Sequence, residues 1–406
     1  MGLRKIAYIL HWFPKPSETF IFREIINLRK MGLSLTVVSL YGEWKKCLSA
    51  EMAFNADEVD RLGIPHITQI PADLLYWWHR QPALTQELIR TIPVRRWSSL
   101  EIGGENVWAF LCGFSLARCF QREGIQHIHA PWANGPATAA WVASRLTGIP
   151  FSFMARAGDI YPPDGALPEK IRDSVFVRTN PKANVAYLLK LSGASPEKVF
   201  LTYDGYPLET YQDAPVAMRA PYQILAMGRL VKVKGFPLLL RAARILADKG
   251  VDFHLTLAGS GYLGPYLRWL SRWLGLENRV SFPGFIPHDR VSPWFCAADV
   301  FVMPSIIAAS SDRDGIPNVI LEALLHRLPT VATDVAGIGE VIRDGETGYL
   351  VPQKNPEALA EAILKMTRDR RSALEMAARG QALVKEQFDP VRCHDQVSQL
   401  FQRFGA

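Results

Sequence analysis

The chain has 406 residues, 49% apolar and 21% charged, with a formal charge of +7. This composition excludes a disordered chain, the length fits two domains at roughly 100–200 residues each, and no apolar run approaches the ~18 residues of a membrane-spanning helix. The positive balance favours an anionic partner: nucleic acid, a phosphorylated small molecule or an acidic membrane surface.

The N-terminal run IAYIL is too short for a signal-peptide core and reads as a strand. A periodic helix from about Phe20 to Lys30, a Met-Gly turn and the strand LTVVSL (35–40) begin an alternation of strands and helices. Next comes a less regular aromatic region. There DLLYWWHRQ (73–81) and VRRW (94–97) set aromatic residues beside Arg and His, either as an interfacial anchor or as core packing. Alternation resumes with IQHIHA (125–130), a small-residue helix over 136–146 and IPFSFMA (149–155). A proline-rich break at 207–222 marks the domain linker.

Beyond the break, QILAMG, FHLTLAG, RVSFPG, DVFVMPS and PTVAT alternate with helices over 236–249, 262–274, 288–297 and 317–326. Such alternation implies parallel sheets covered on both faces. The fold class is therefore α/β, with two doubly wound domains expected to face a central cleft at the carboxyl ends of their strands, where open sheets bind ligands. The five cysteines are scattered, with no paired zinc spacing, and read as reduced cytosolic thiols.

Three segments carry chemistry. LAGSGYLG places Gly259, Gly261 and Gly264 in a dinucleotide-like pattern, but no acidic residue ends the following strand, so a tight turn is the better reading. AMGRLVKVKGF presents Arg229 and Lys234 after a strand ending at Gly228, and two such cations suit a diphosphate. In DRDGIPNVILE, Asp314 and Glu322 bracket a helix start whose amides, from Gly315 to Asn318, form an anion-binding terminus, with Pro317 in the first turn. Taken alone, Asp314 or Asp312 would cap that helix and Glu322 would be a surface residue. Ser17, Glu18 and Thr19 either start a helix or line the ligand crevice, and His127 and His129 suit strand-end packing.

Together, the stretch from MGRLVKVKG through PSIIAASSDRDGIPNVILEALLHRLPTVATDVAGIGEVIRDGETGYLVP to NPEALAEAI resembles the retaining glycosyltransferases of family four, which have the GT-B fold. FPKPSETFIFREI, HIHAPWA and SFMARAGDIY look like the matching parts of exopolysaccharide and colanic-acid type members. The resemblance implies an acceptor-binding domain over 1–212, a nucleotide-sugar-binding domain over 213–387, and a last helix at about 388–406 returning to the first. It implies transfer of a sugar from a nucleotide diphosphate donor, UDP or GDP, to a hydroxyl of a glycan or lipid-linked glycan, with retention and with neither cofactor nor metal.

Asp314 would hold donor hydroxyls, Glu322 the ribose, and Arg229 and Lys234 the diphosphate. Gly228, Gly259, Phe285, Gly315, Ile316, Pro317 and Asn318 complete the donor site. Arg156 and Asp159 join the catalytic set, and Ser17, Glu18, Thr19 and His129 lie on the acceptor side. Three departures stand out: Asp314 replaces the usual Glu, Arg156 a usual His, and Pro131 a second His. A cytoplasmic location with peripheral contact to an anionic membrane is expected, and nucleic acid is not. The alternatives are a non-catalytic nucleotide-sugar or glycan binder, which Arg156 would suit, and a GT-B nucleotide-sugar epimerase.

Overall fold

The structure, a computed structural model, describes residues 5–16, 18–43, 48–56, 59–91, 99–161, 165–208, 218–309 and 311–404. It divides into two units, one of Met1–Tyr206 with Pro390–Ala406 and the other of Pro207–Asp389. The boundary expected at 212/213 and most of the 207–222 linker fall on residues 209–217, outside the described residues.

The first unit is a seven-stranded parallel sheet. Its strands are β1 (Lys5–Leu10), β2 (Ser34–Ser39), β3 (Val59–Arg61), β4 (His127–Ala130), β5 (Phe151–Ala155), β6 (Phe176–Thr179) and β7 (Val199–Leu201), in the order β3-β2-β1-β4-β5-β6-β7. A central parallel strand is buried on both faces, which is why β1 reads as an unbroken apolar run rather than an alternating one. Ala7 and Ile9 enter a core with the helices Leu100–Glu123 and Gly135–Thr147, while Ile6, Tyr8 and Leu10 enter a second core with the helices Thr19–Lys30 and Pro390–Phe404. In that second core Phe401 lies against Tyr8 and His129, with ring centroids 6.0 and 5.2 Å away.

The second unit repeats the plan with six parallel strands. They are β8 (Tyr222–Met227), β9 (Phe253–Ala258), β10 (Val280–Ser281), β11 (Val300–Met303), β12 (Thr330–Thr333) and β13 (Tyr349–Val351), in the order β10-β9-β8-β11-β12-β13. In each sheet the order reverses direction once, between β1 and β4 and between β8 and β11. Connections leave to opposite sides there, opening a crevice at the carboxyl ends of the strands.

The aromatic region that looked irregular is helical: Ile70–Arg80, Pro82–Thr91 and a 24-residue helix, Leu100–Glu123. Gly103, Gly104 and Gly113 each cost that last helix about 1 kcal/mol relative to Ala, which hid it from propensity. Its burial of Ala109, Cys112, Leu116 and Phe120 outweighs that cost, and the Ser99 side chain caps it by accepting from the Ile102 N–H at 3.2 Å.

The two readings of DLLYWWHRQ divide residue by residue. Trp77 is fully buried and donates its indole N–H to the Phe114 carbonyl at 2.9 Å, so the core-packing alternative holds for it, whereas Leu75 and Trp78 are exposed. VRRW (94–97) lies outside the described residues. Among the described residues no helix is long and apolar enough to cross a membrane.

Candidate functional site

In the second unit the strand ends are laced so closely that Gly235, Gly259 and Gly261 leave no room for a Cβ. A Cβ on Gly259 would sit 1.8 Å from the Gly228 carbonyl oxygen, and one on Gly235 would sit 1.8 Å from that of Pro304; both residues have positive φ, 139° and 64°. The Gly259 N–H donates to the Gly284 carbonyl at 2.7 Å, which fixes the turn carrying Phe285, a largely exposed ring. Gly259 thus belongs to a tight turn.

Gly235 brings the short turn Lys232–Lys234 against the end of β11, where the Ile306 N–H donates to the Val233 carbonyl at 2.8 Å. The consequence is a fixed constellation at the reversal point. Lys234, buried, holds Asp314 Oδ1 at 3.1 Å, and Ser305 donates its hydroxyl to Asp314 Oδ2 at 2.8 Å. Ser305 is itself held by the Thr333 hydroxyl, which donates to its carbonyl at 2.5 Å. Arg229 is exposed on the same loop as Lys234, close enough to Asp312 that its charge acts on that carboxyl. Burial pushes the Asp312 carboxyl above the usual range and Asp314 adds to this, while Arg229 pulls it back.

The helix expected from 317 runs Asn318–Leu325, with Pro317 at its N-cap rather than inside the first turn. No side chain caps it, so its first amides, beside half-buried Gly315, Ile316 and Asn318, are offered outward. Glu322 is not a surface residue: it is 5% exposed, with His288 Nε2 3.3 Å from its Oε1. Ser305 and His288 were missed from the sequence: neither belongs to the motifs that carry Asp314 and Glu322, and His288 lies 34 residues from its partner. Among the described residues no group of three or more His, Cys, Asp or Glu side chains forms a metal cluster.

In the first unit the expected residues divide. Arg156 is committed to Asp204 through two hydrogen bonds, Nη1 to Oδ2 at 2.6 Å and Nη2 to Oδ1 at 2.9 Å, and packs over the rings of Phe20 and Trp132 at 4.3 and 5.5 Å. Burial drives the Asp204 carboxyl up, but the charge and hydrogen bonds of Arg156, the Arg178 charge and the Asn180 hydrogen bond together hold the group below the usual range. Asp159 accepts backbone N–H groups on both oxygens, from Arg156 at 2.6 Å and Ala133 at 2.5 Å, which positions two strand-end loops. His129 is fully buried beneath Phe401, with Nδ1 2.8 Å from the Ser152 hydroxyl and Nε2 3.4 Å from Arg178 Nε. It is therefore a core residue. Glu18, at the N-cap before Thr19, pairs with Lys15 at 2.7 Å and accepts the Trp132 indole N–H at 3.4 Å. Ser17 lies outside the described residues.

What sequence reasoning missed here is an aromatic face after β1 and β2. Trp12 stacks on Tyr41 (centroids 4.5 Å apart, 19° between planes), and Tyr41 stacks on Trp108 at 6.4 Å and 23°. The Trp108 indole N–H donates to the Leu40 carbonyl at 2.8 Å and locks the stack to β2. Beside it, the buried His11 imidazole places Nε2 3.5 Å from Glu105 Oε1. HWF directly after the first strand was the available signal.

Burial, with Lys15 adding, lowers His11 from 6.5 to about 3, and burial with the Arg178 charge lowers His129 well below its ordinary value. Both rings are neutral when folded and gain protons more readily when unfolded. The stabilisation from His11 is whole above 6.5 and is lost as pH falls from there toward about 3, and that from His129 is likewise lost as pH falls. The urea midpoint of the first unit is expected to fall over that range and the His11→Gln variant to show a shallower acid limb; an identical limb would refute the assignment to His11.

Comparison with known proteins agrees with this architecture. Residues 221–369 match the family model described as "Glycosyl transferases group 1". Over 98% of its length the chain is 30% identical to a protein of Escherichia coli (strain K12) named for colanic acid biosynthesis, glycosyltransferase WcaL, covering 99% of that relative. Matches to a like-named protein of Salmonella typhimurium (32%) and to the amylovoran biosynthesis glycosyltransferase AmsK of Erwinia amylovora (30%) each span 53% of the relative. HepE of Anabaena, in a crystal structure with UDP and glucose, superposes with a TM-score of 0.70 at 18% identity, covering 98% of this chain and 100% of that one. A glycosyltransferase of Rickettsia africae does so at 0.74 and 14%, covering 100% and 99%. Two Rossmann-like units of this kind define the GT-B class. The chain belongs to the group 1 glycosyl transferases.

Proposed function

We propose that the protein transfers a sugar from a nucleotide diphosphate sugar, bound by the second unit, to a hydroxyl of a glycan or lipid-linked glycan bound by the first. The observation that carries this is the Lys234–Asp314–Ser305 constellation beside an uncapped helix start at the β8/β11 reversal. The donor diphosphate takes up Lys234, Arg229 and the amides from Gly315 to Asn318, whose charge and dipoles stabilise the leaving group without a metal ion. Asp314, held by Ser305, accepts sugar hydroxyls, Glu322 accepts the ribose, and Phe285 meets the base.

Transfer proceeds with retention, the acceptor hydroxyl attacking from the side the nucleotide leaves. The Trp12–Tyr41–Trp108 face then receives the acceptor's sugar rings, whose apolar C–H faces pack on aromatic planes. Arg156 and Asp159 act there as positioning residues. Relatives named for colanic acid and amylovoran biosynthesis support an acceptor from cell-surface polysaccharide synthesis, and the Anabaena neighbour's UDP supports a uridine donor over GDP.

A thermal-shift panel of UDP, GDP, ADP and their common sugars tests the donor side. One nucleotide is expected to raise the melting temperature of wild type selectively and to lose that effect in Glu322→Ala. No shift with any nucleotide at millimolar concentration would end this reading.

A further inference from the structure

The helix Gly264–Trp273 buries Gly264, Leu267, Leu270 and Ser271 and turns the rest of its surface outward. On that outward side, at helical spacing, lie Tyr266, Trp269 and Trp273, with Tyr262 in the turn just before the helix; Tyr262, Tyr266, Trp269 and Trp273 are 64, 40, 55 and 71% exposed. Their rings are ordered against one another: Tyr266 and Trp269 stack at 5.7 Å and 27°, and Trp269 and Trp273 at 6.3 Å and 16°. Scattered exposed aromatics need no explanation, but three rings stacked in a row along one helix, with exposed Tyr262 just before its start, mark an interaction surface.

The charges alongside select the partner. Arg268 and Arg272, both exposed, interleave with the tryptophans, and the sequence holds no acidic residue from 253 to 276. Arg268 also packs over the Phe282 ring at 5.8 Å, extending the aromatic surface toward β10. Tryptophan and tyrosine favour the headgroup level of a bilayer, where an apolar ring and a polar N–H or O–H are both satisfied, and arginines beside them attract anionic headgroups. A protein partner of ordinary hot-spot chemistry would also accept Trp and Arg, but the lack of any acid along 24 residues matches a uniformly anionic plane.

We propose that the Tyr262, Tyr266, Trp269 and Trp273 stripe, flanked by Arg268 and Arg272, docks the protein on the surface of an anionic lipid bilayer. This places the aromatic anchor in the second unit, away from DLLYWWHRQ. It stands independently of the transfer reaction, because none of these side chains is assigned to the donor site.

Co-sedimentation of the full chain with vesicles tests it, using phosphatidylcholine alone and phosphatidylcholine with about one third phosphatidylglycerol. Wild type is expected to pellet with the anionic vesicles only. Trp269→Ser with Trp273→Ser should weaken binding about tenfold or more, and Arg268→Gln with Arg272→Gln should remove the preference for phosphatidylglycerol. Both pairs are exposed, so circular dichroism and the nucleotide thermal shift should match wild type, which separates failure here from failure of the donor reading. Absence of wild-type binding to either vesicle overturns the proposal, as does binding unchanged in both double variants. A wild-type dimer in solution that the tryptophan pair converts to monomer would likewise overturn it, assigning the stripe to a second copy.

Discussion

Lys234→Ala is expected to lower kcat about 10²–10³-fold, the cost of removing one preorganised charge from a developing leaving group. Lys234 is buried, and its amine is held 3.1 Å from Asp314, whose other oxygen is fixed by Ser305. Its position is set before any ligand arrives, so little reorganisation offsets its charge. Lys234→Arg should recover only part of the loss, because a longer, planar guanidinium does not fit where the Lys234 stem passes Gly228 and its compact ammonium meets Asp314. Steady-state kinetics with the nucleotide sugar identified by thermal shift provides the check. A Lys234→Ala enzyme with wild-type kcat would remove Lys234 from the mechanism and leave its contact with Asp314 purely structural.

Glu24→Ala is expected to destabilise the first unit by about 3–5 kcal/mol, the typical result of removing one partner from a buried ion pair. Glu24, on the Thr19–Lys30 helix, pairs with Arg178 on β6, and both are buried to within a few per cent. The Tyr8 hydroxyl also donates to Glu24 at 3.2 Å, and Arg178 reaches His129 at 3.4 Å, so the deletion strands a guanidinium among Tyr8, His129 and the core beneath Phe401. Replacing both partners by apolar residues, Glu24→Leu with Arg178→Met, should recover most of the loss, because no buried charge then lacks its partner. Urea unfolding read by circular dichroism distinguishes these outcomes. Equal loss in the single and double variants would mean that the pair contributes by packing alone.

Neither partner of that pair was singled out in the sequence, since 154 residues separate them. The proposed donor constellation was more legible. Asp314, Glu322, Arg229 and Lys234 were recognisable because a strand end, a glycine and a helix start recur at short spacing, the local signals of the proposed phosphate-binding terminus. Ser305 and His288, which orient two of these groups, carry no local signature. The first unit gave the opposite result: Arg156, Asp159 and His129 occupy recognisable motifs, yet the structure engages all three in holding loops and core together.

The sequence by itself determined the two parallel α/β units and most helix positions, because alternation of short apolar runs with amphipathic periods is a property of neighbouring residues. It also determined where the loops carrying Arg229, Lys234 and Asp314 fall. Only the tertiary structure decided which aromatic residues are buried and which meet solvent. Trp77 and Trp269 both sit in helical segments with Arg nearby, but Trp77 packs under the Leu100–Glu123 helix and Trp269 faces outward. Burial is set by what the rest of the chain lays over a helix face, and that information is not local to the helix.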